Sequence, residues 1–339
     1  MLIDLAGAFL GISLIFYCLF GGADFGAGLL EIFLGRKDRE KQKQIITRAI
    51  GPVWEANHVW LILAVVILFN GFPKAYSVLS VTFYIPLTLL LVGIILRGCA
   101  FTFGNYDAVK DGSQKYYSLI FRVSGVMVPM ILGMIAGGTF LGKGGSGDYF
   151  SSYITPWLNL FSLSIGLFTC VLFGFLAAVY LIGETTDLKL QKIFASRAKS
   201  FNIAAVLAGL LVFASAQTEG LPLAGLFFSK PLSALSMAGA TLVLLPLWHG
   251  LKSRRLLLLR GSAIALVVFV MVGWFSLQFP VLISAPTGAV TLYNSAAPEI
   301  TLKYLLIALG VGCLMIFPSL FYLFRIFKTP SKKRLHDVS

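Results

Sequence analysis

Only 12% of the 339 residues are charged and 58% are hydrophobic, with a mean hydropathy of +0.89. A water-soluble chain of this length needs a charged shell, so the composition excludes an ordinary soluble enzyme and fits a bundle that turns apolar side chains toward lipid. The net charge of +13 would suit a nucleic-acid ligand in a soluble protein, but a polytopic chain collects Lys and Arg on its cytoplasmic connections whatever it binds, so membrane lipid and not nucleic acid is the expected surrounding.

Apolar runs long enough to cross a ~30 Å hydrocarbon layer lie near 6–34, 52–70, 75–98, 119–141, 156–182, 200–217, 232–250, 257–280 and 301–327. They predict an all-α polytopic membrane protein of about nine transmembrane helices. Placing the N-terminus outside and the C-terminus in the cytoplasm assigns 23 of the 27 Lys and Arg residues to the cytoplasmic side. Only Lys74, Lys143, Lys230 and Lys303 remain outside, as the positive-inside rule requires. Adding or deleting one span would scramble that division. The chain opens on Met1-Leu2-Ile3-Asp4 and runs straight into the first span, so that helix is expected to act as its own insertion signal.

The longest polar connections, near 99–118, 183–199 and 281–300, read as connectors, and the whole of 1–339 as a single membrane domain. Glycines inside spans, such as Gly133, Gly137 and Gly138, are expected to let helices approach closely. Cys18, Cys99, Cys170 and Cys313 are far apart with no paired spacing, which predicts neither a disulfide nor a metal site. Of the three histidines, His249 and His336 sit among basic residues near predicted cytoplasmic ends and read as solvated, leaving His58 within a span. No spacing of His, Met or Cys singles out a haem site, so no cofactor is predicted in this chain.

An ionisable group in the hydrocarbon costs roughly 2.5–3.5 kcal/mol on insertion scales, so each one is a candidate site. Asp24 lies ten residues before the cytoplasmic end of the first span, about 15 Å deep at 1.5 Å per residue. Glu55 lies on the opening turn of the second span, after Pro52, about 5 Å inside the same face. A shallow acid followed by a deep one, on adjacent helices joined by a basic loop, could pass protons inward from the cytoplasm. Asn57 and His58 add polar groups beside Glu55, and the i, i+3 spacing of Glu55 and His58 would let them share a water or a proton. The plainer alternative for Glu55 is a helix-start carboxylate favoured by the N-terminal dipole. The glycines around Asp24 either loosen the first span or serve as packing notches. Glu31 is expected to cap interfacial charge, and Arg97, Arg122, Glu184 and Arg325 to snorkel at cytoplasmic edges.

The same residues carry a family resemblance. Gly-Ala-Asp-Phe-Gly-Ala-Gly at 22–28, a basic loop, and Gly-Pro-Val-Trp-Glu-Ala-Asn-His-Val-Trp-Leu at 51–61 resemble the opening of subunit II of cytochrome bd-type quinol oxidases. The similarity continues through Phe69-Asn70-Gly71-Phe72-Pro73, Arg97-Gly98 with Phe101, and the loop at 286–295 before the last span. It implies two four-helix bundles, near 1–142 and 150–280, plus a peripheral final helix near 301–327. It further implies a heterodimer with a larger subunit I that carries haem b and haem d and oxidises quinol, with room for a small accessory single-span subunit. The complex would sit in the cytoplasmic membrane of a bacterium or archaeon, reduce O2 to water and draw its protons from the cytoplasm. Asp24 and Glu55 match positions the family associates with proton conduction. Phe20 stands where some members have a further acid, position 55 is Asp in some relatives, and His58 replaces an amide. Two rival readings are an ion-coupled secondary transporter using Asp24 and a purely structural subunit of the oxidase.

Overall fold

A computed structural model describes residues 1–35, 38–51, 54–106, 112–143, 147–253, 255–285 and 288–328. Pro52, His336, the basic C-terminal tail and part of the 286–295 loop lie outside the described residues. Among the described residues nine helical stretches are long and apolar enough to span a membrane, as the hydropathy predicts.

The first span consists of α1 (Leu2–Phe16), a π-helical turn (Tyr17–Gly21) and α2 (Gly22–Ile32). The connection after it is helical rather than irregular. α3 (Arg39–Ile50) is basic on one side and buries Gln42, Ile46, Ala49 and Ile50, the i, i+4, i+7, i+8 stripe of an amphipathic helix laid against a bundle. The second span is α4 (Trp54–Gly71). The apolar run expected from 75 as one span is divided: α5 (Pro73–Thr82), started by Pro73 at its first turn, precedes the spanning helix α6 (Tyr84–Tyr106). α7 (Gln114–Leu141) ends on Gly142 at φ 66°, a left-handed conformation glycine adopts without a Cβ penalty.

The short α8 (Tyr149–Tyr153) leads to α9 (Leu160–Ile182), capped by the Asn159 side chain accepting from the Ser162 amide at 2.9 Å. α10 (Leu188–Thr218) starts twelve residues earlier than the hydropathy suggests, capped by Asp187, because its first turns are polar and project beyond the apolar layer. α11 (Leu223–Ser229), α12 (Pro231–Ser253) and α13 (Leu256–Gln278) follow. A two-stranded antiparallel ribbon, β1 (Val281–Ile283) with β2 (Val290–Thr291), lies between α13 and the last helix, α14 (Glu299–Lys328). Composition alone did not foresee it.

α9 is the most enclosed span and packs against α2, α7 and α10, whereas α14 touches α1 and α4 and keeps most of its surface outside the chain's own core. Glycines make the inner contacts close. A Cβ on Gly133 would stand 2.6 Å from the Gly166 Cα, and one on Gly125 2.8 Å from the Gly28 Cα, so these helices meet backbone to backbone.

Two sets of cross-links sort the connections by end. At one end Lys189 pairs with Asp38 at 2.7 Å, Arg197 donates to the Phe33 carbonyl and Arg260 pairs with Glu184 at 3.3 Å. At the other, the Ser284 amide donates to the Thr139 carbonyl, the Ala297 amide to Gly71, and the Tyr293 hydroxyl to Asp4. The first is called the basic end below. Two of the four lysines away from it are locally compensated: Lys143 pairs with Glu219, and Lys230 donates to the carbonyls of Ser276, Leu277 and Phe279 at the C-terminus of α13.

Candidate functional site: a buried ion pair beside a cleft

Asp24 begins from an unusual stretch of backbone. The π-helical turn at Tyr17–Gly21 inserts a wide turn just before Gly22-Ala23-Asp24, a device that redirects side chains in membrane helices. Beyond it, Gly26 lies so close to α9 that a Cβ would overlap the Phe173 carbonyl oxygen, and Gly28 meets α7 at Phe121 and Gly125. Both readings of these glycines therefore hold. The span is locally rewound, and the glycines are notches that clamp α2 between α7 and α9.

Asp24 is completed by Arg97 of α6. The guanidinium donates from Nε to Oδ2 at 3.1 Å, from Nη2 to Oδ1 at 2.9 Å, and from Nη2 to the Asp24 main-chain carbonyl. Its plane lies over Phe121, 4.2 Å from the ring centroid, and near Phe25 at 5.0 Å. Side-chain exposure is 1% for Asp24 and 3% for Arg97, so the pair is desolvated on both sides. The snorkelling expected of Arg97 is corrected: about two turns inside the end of its span, its fork finds a buried carboxylate and two aromatic faces in place of headgroup water. Gly28 makes that placement feasible, because a Cβ there would stand 2.9 Å from Arg97 Nη1.

Asn57 is buried on α4, and His58 is half-buried with its ring 5.7 Å from Phe25 and 6.2 Å from Tyr17. Three buried polar atoms in this region, Tyr17 Oη, His58 Nδ1 and Arg97 Nη1, have no protein partner among the described residues, in a core where nearly all such atoms are satisfied. The His58 ring is set among aromatic neighbours, and His249 is exposed on α12. Groups of three or more His, Cys, Asp or Glu able to hold a metal do not occur among the described residues.

Glu55 goes elsewhere. It is exposed on α4 while Asn57, two residues and ~200° around the helix, is buried, so the chain does not bring Glu55 and Asp24 to one cavity. The cleft that Asp24 does border has about 510 Å³ of free space, part of it open to the outside, and is lined also by Asn57, Tyr180 and Glu184. Glu184, two residues past the end of α9 at the basic end, pairs there with Arg260 of α13, which donates as well to the Tyr180 carbonyl at 3.1 Å. A second cleft of about 340 Å³ at the basic end is lined by Glu31, Lys43, Thr47, Gln114 and Ser118. Glu31 is buried there and accepts a hydrogen bond from the Ser118 hydroxyl, which corrects its expected interfacial role.

An all-α polytopic membrane protein with a desolvated Asp–Arg pair at the core of its helix contacts is the class these observations define. The profile of the family described as "Cytochrome bd terminal oxidase subunit II" matches residues 2–327, and the chain belongs to that family. It is 30% identical over 148 residues to "Cytochrome bd ubiquinol oxidase subunit 2" of Bacillus subtilis (strain 168), 43% of each chain. It is 29% identical over 162 residues to "Cytochrome bd-I ubiquinol oxidase subunit 2" of Escherichia coli (strain K12), 46% of this chain and 42% of that one. The aligned stretches thus span less than half the length of these relatives. A chain of the structure titled "The structure of bd oxidase from Geobacillus thermodenitrificans" superposes with a TM-score of 0.78 over 96% of this chain and 98% of that one, at 21% identity. It shares the fold.

Proposed function

We propose that this chain is the haem-free subunit II of a bd-type quinol:oxygen oxidoreductase, and that it supplies part of the path by which protons reach the oxygen-reducing site of a haem-bearing subunit I. In this reading its N-terminus is outside, the basic end faces the cytoplasm of a bacterium, and the halves near 1–142 and 150–280 pair pseudo-symmetrically with subunit I. The observation that carries it is Asp24, a carboxylate held in the membrane core against Arg97 while bordering a cleft that reaches toward the basic end. Each of its oxygens receives one Arg97 donor, which leaves a further lone pair on each for a water or a proton.

Chemistry in such a complex falls to the partner: quinol is oxidised and O2 reduced there, and this chain only moves protons. Glu55, exposed on this chain, is suited to act across the interface with subunit I, with Asn57 and His58 as auxiliaries. A purely structural subunit would need the Asp24–Arg97 pair for packing alone. The two are separated by a charge-neutral replacement, Asp24→Asn with Arg97→Gln, in the assembled oxidase. The expected outcome is unchanged haem spectra with O2 consumption reduced at least about tenfold, the scale of losing a positioned proton carrier. Normal O2 consumption in an assembled double variant would remove the proton role and leave the structural one.

A further inference from the structure

We propose that Glu184, and not Glu55, is the group through which protons from the basic end reach Asp24. This rests on the proton role of Asp24 proposed above and extends it to a residue on a different helix. The cleft that touches Asp24 is also lined by Glu184, and Glu55 is not among its lining residues. On α4 it is the uncharged Asn57 that turns into the cleft.

The helices fix the separation. α2 and α9 lie side by side, with Gly26 against the Phe173 carbonyl and the Ala177 side chain. Glu184 is seven residues beyond Ala177 and Asp24 two residues before Gly26, so the two are about 13 Å apart along the helix axes at 1.5 Å per residue. That interval is about four hydrogen-bonded waters at ~2.8 Å each, and the cleft has the volume for them.

The two acids are in contrasting settings, as a relay from solvent to core requires. The Glu184 side chain is 18% exposed and its Arg260 partner 34%, against 1% for Asp24. Arg260 engages Oε1 at 3.3 Å, which positions the carboxylate on the cleft. Around Glu184 the cleft and its ion pair place Arg260 from α13, Tyr180 from α9 and Asp24 from α2, together with neutral Asn57 from α4 and the apolar Ala49 and Ile50 from α3. A proton taken from bulk water by the Glu184 carboxylate is released along the cleft to Asp24, and Glu184 returns to its ionised, Arg260-paired state. No bond other than O–H is made or broken.

The test is Glu184→Gln in the assembled two-subunit oxidase, read by haem spectra, quinol-driven O2 consumption and the solvent deuterium isotope effect, beside Glu184→Asp, Glu31→Gln and the Asp24→Asn/Arg97→Gln double variant. The inference expects E184Q to keep its haem spectra, lose about tenfold in turnover and show a larger isotope effect, with E184D retaining at least half of the turnover. It is overturned if E184Q keeps full turnover while the double variant loses it, which would leave Asp24 in the path and take Glu184 out. It is equally overturned if E31Q reproduces the loss and E184Q does not, which would place the mouth at the Glu31–Ser118 cleft. Full turnover in both E184Q and the double variant would sink the proton role of Asp24 itself. Should E184Q lose haem, Glu184→Gln with Arg260→Gln, which removes both charges of the pair, is judged by the same criteria.

Discussion

The Arg97 guanidinium holds both carboxylate oxygens of Asp24, together with the Asp24 main-chain carbonyl, in a site closed by Phe25 and Phe121. The two residues are 73 positions apart on different helices, and their pairing governs what each substitution does. Removing one member of a buried pair strands the other, at roughly 3–5 kcal/mol, whereas removing both together is far milder. Asp24→Asn and Arg97→Gln alone should each reduce the yield and thermal stability of the assembled complex, and the double variant should recover most of both. Thermal unfolding followed by haem absorbance checks this. Additive losses in the double variant would mean the two side chains do not interact.

Glu55 makes the opposite forecast. Because its side chain is exposed on this chain, Glu55→Gln should change the thermal stability of the purified complex by no more than about 0.5 kcal/mol. A drop in turnover without such a change would locate its role at the interface with the partner. Equal losses of stability and turnover would return it to a helix-start carboxylate.

Gly26 should tolerate no side chain. A Cβ there overlaps the Phe173 carbonyl oxygen, and backbone cannot swing aside as a side chain would, so Gly26→Ala should cost at least the ~1–3 kcal/mol of an overpacked core. Gly225→Ala, at a position with open space around it, is the control. Membrane accumulation of the two variants, measured by quantitative blotting, should differ severalfold. Equal accumulation would show that α2 and α9 are not as close as described.

Lys230 is a lysine away from the basic end, and its three bonds to the last carbonyls of α13 account for it. Lys230→Met keeps the stem and loses the ammonium, and should destabilise the complex by about 1–2 kcal/mol, the upper range for a cation at a helix C-terminus. Differential scanning calorimetry of the complex measures it. Lys74→Met, at a position with no such contact among the described residues, should have a smaller effect.

The sequence by itself determined the nine spans, because the transfer of each side chain into hydrocarbon is a local cost that a window of twenty residues already sums. It also singled out Asp24, whose depth is counted along one helix. Helical extensions at polar ends, such as the first turns of α10, and the amphipathic α3 were missed because apolar length marks only the part of a helix inside lipid. The tertiary structure alone decided the company Asp24 keeps. The signal for Arg97 was present, a charge within the end of an apolar run that lipid would force to find a partner. Which carboxylate it meets depends on how α2 and α6 pack, and that on Gly28 leaving room for the guanidinium. The same packing turned Asn57 inward and Glu55 outward and put Glu184 on the cleft with Asp24. Hydropathy is a property of one segment, whereas a buried charge and the cavity beside it are properties of several segments at once.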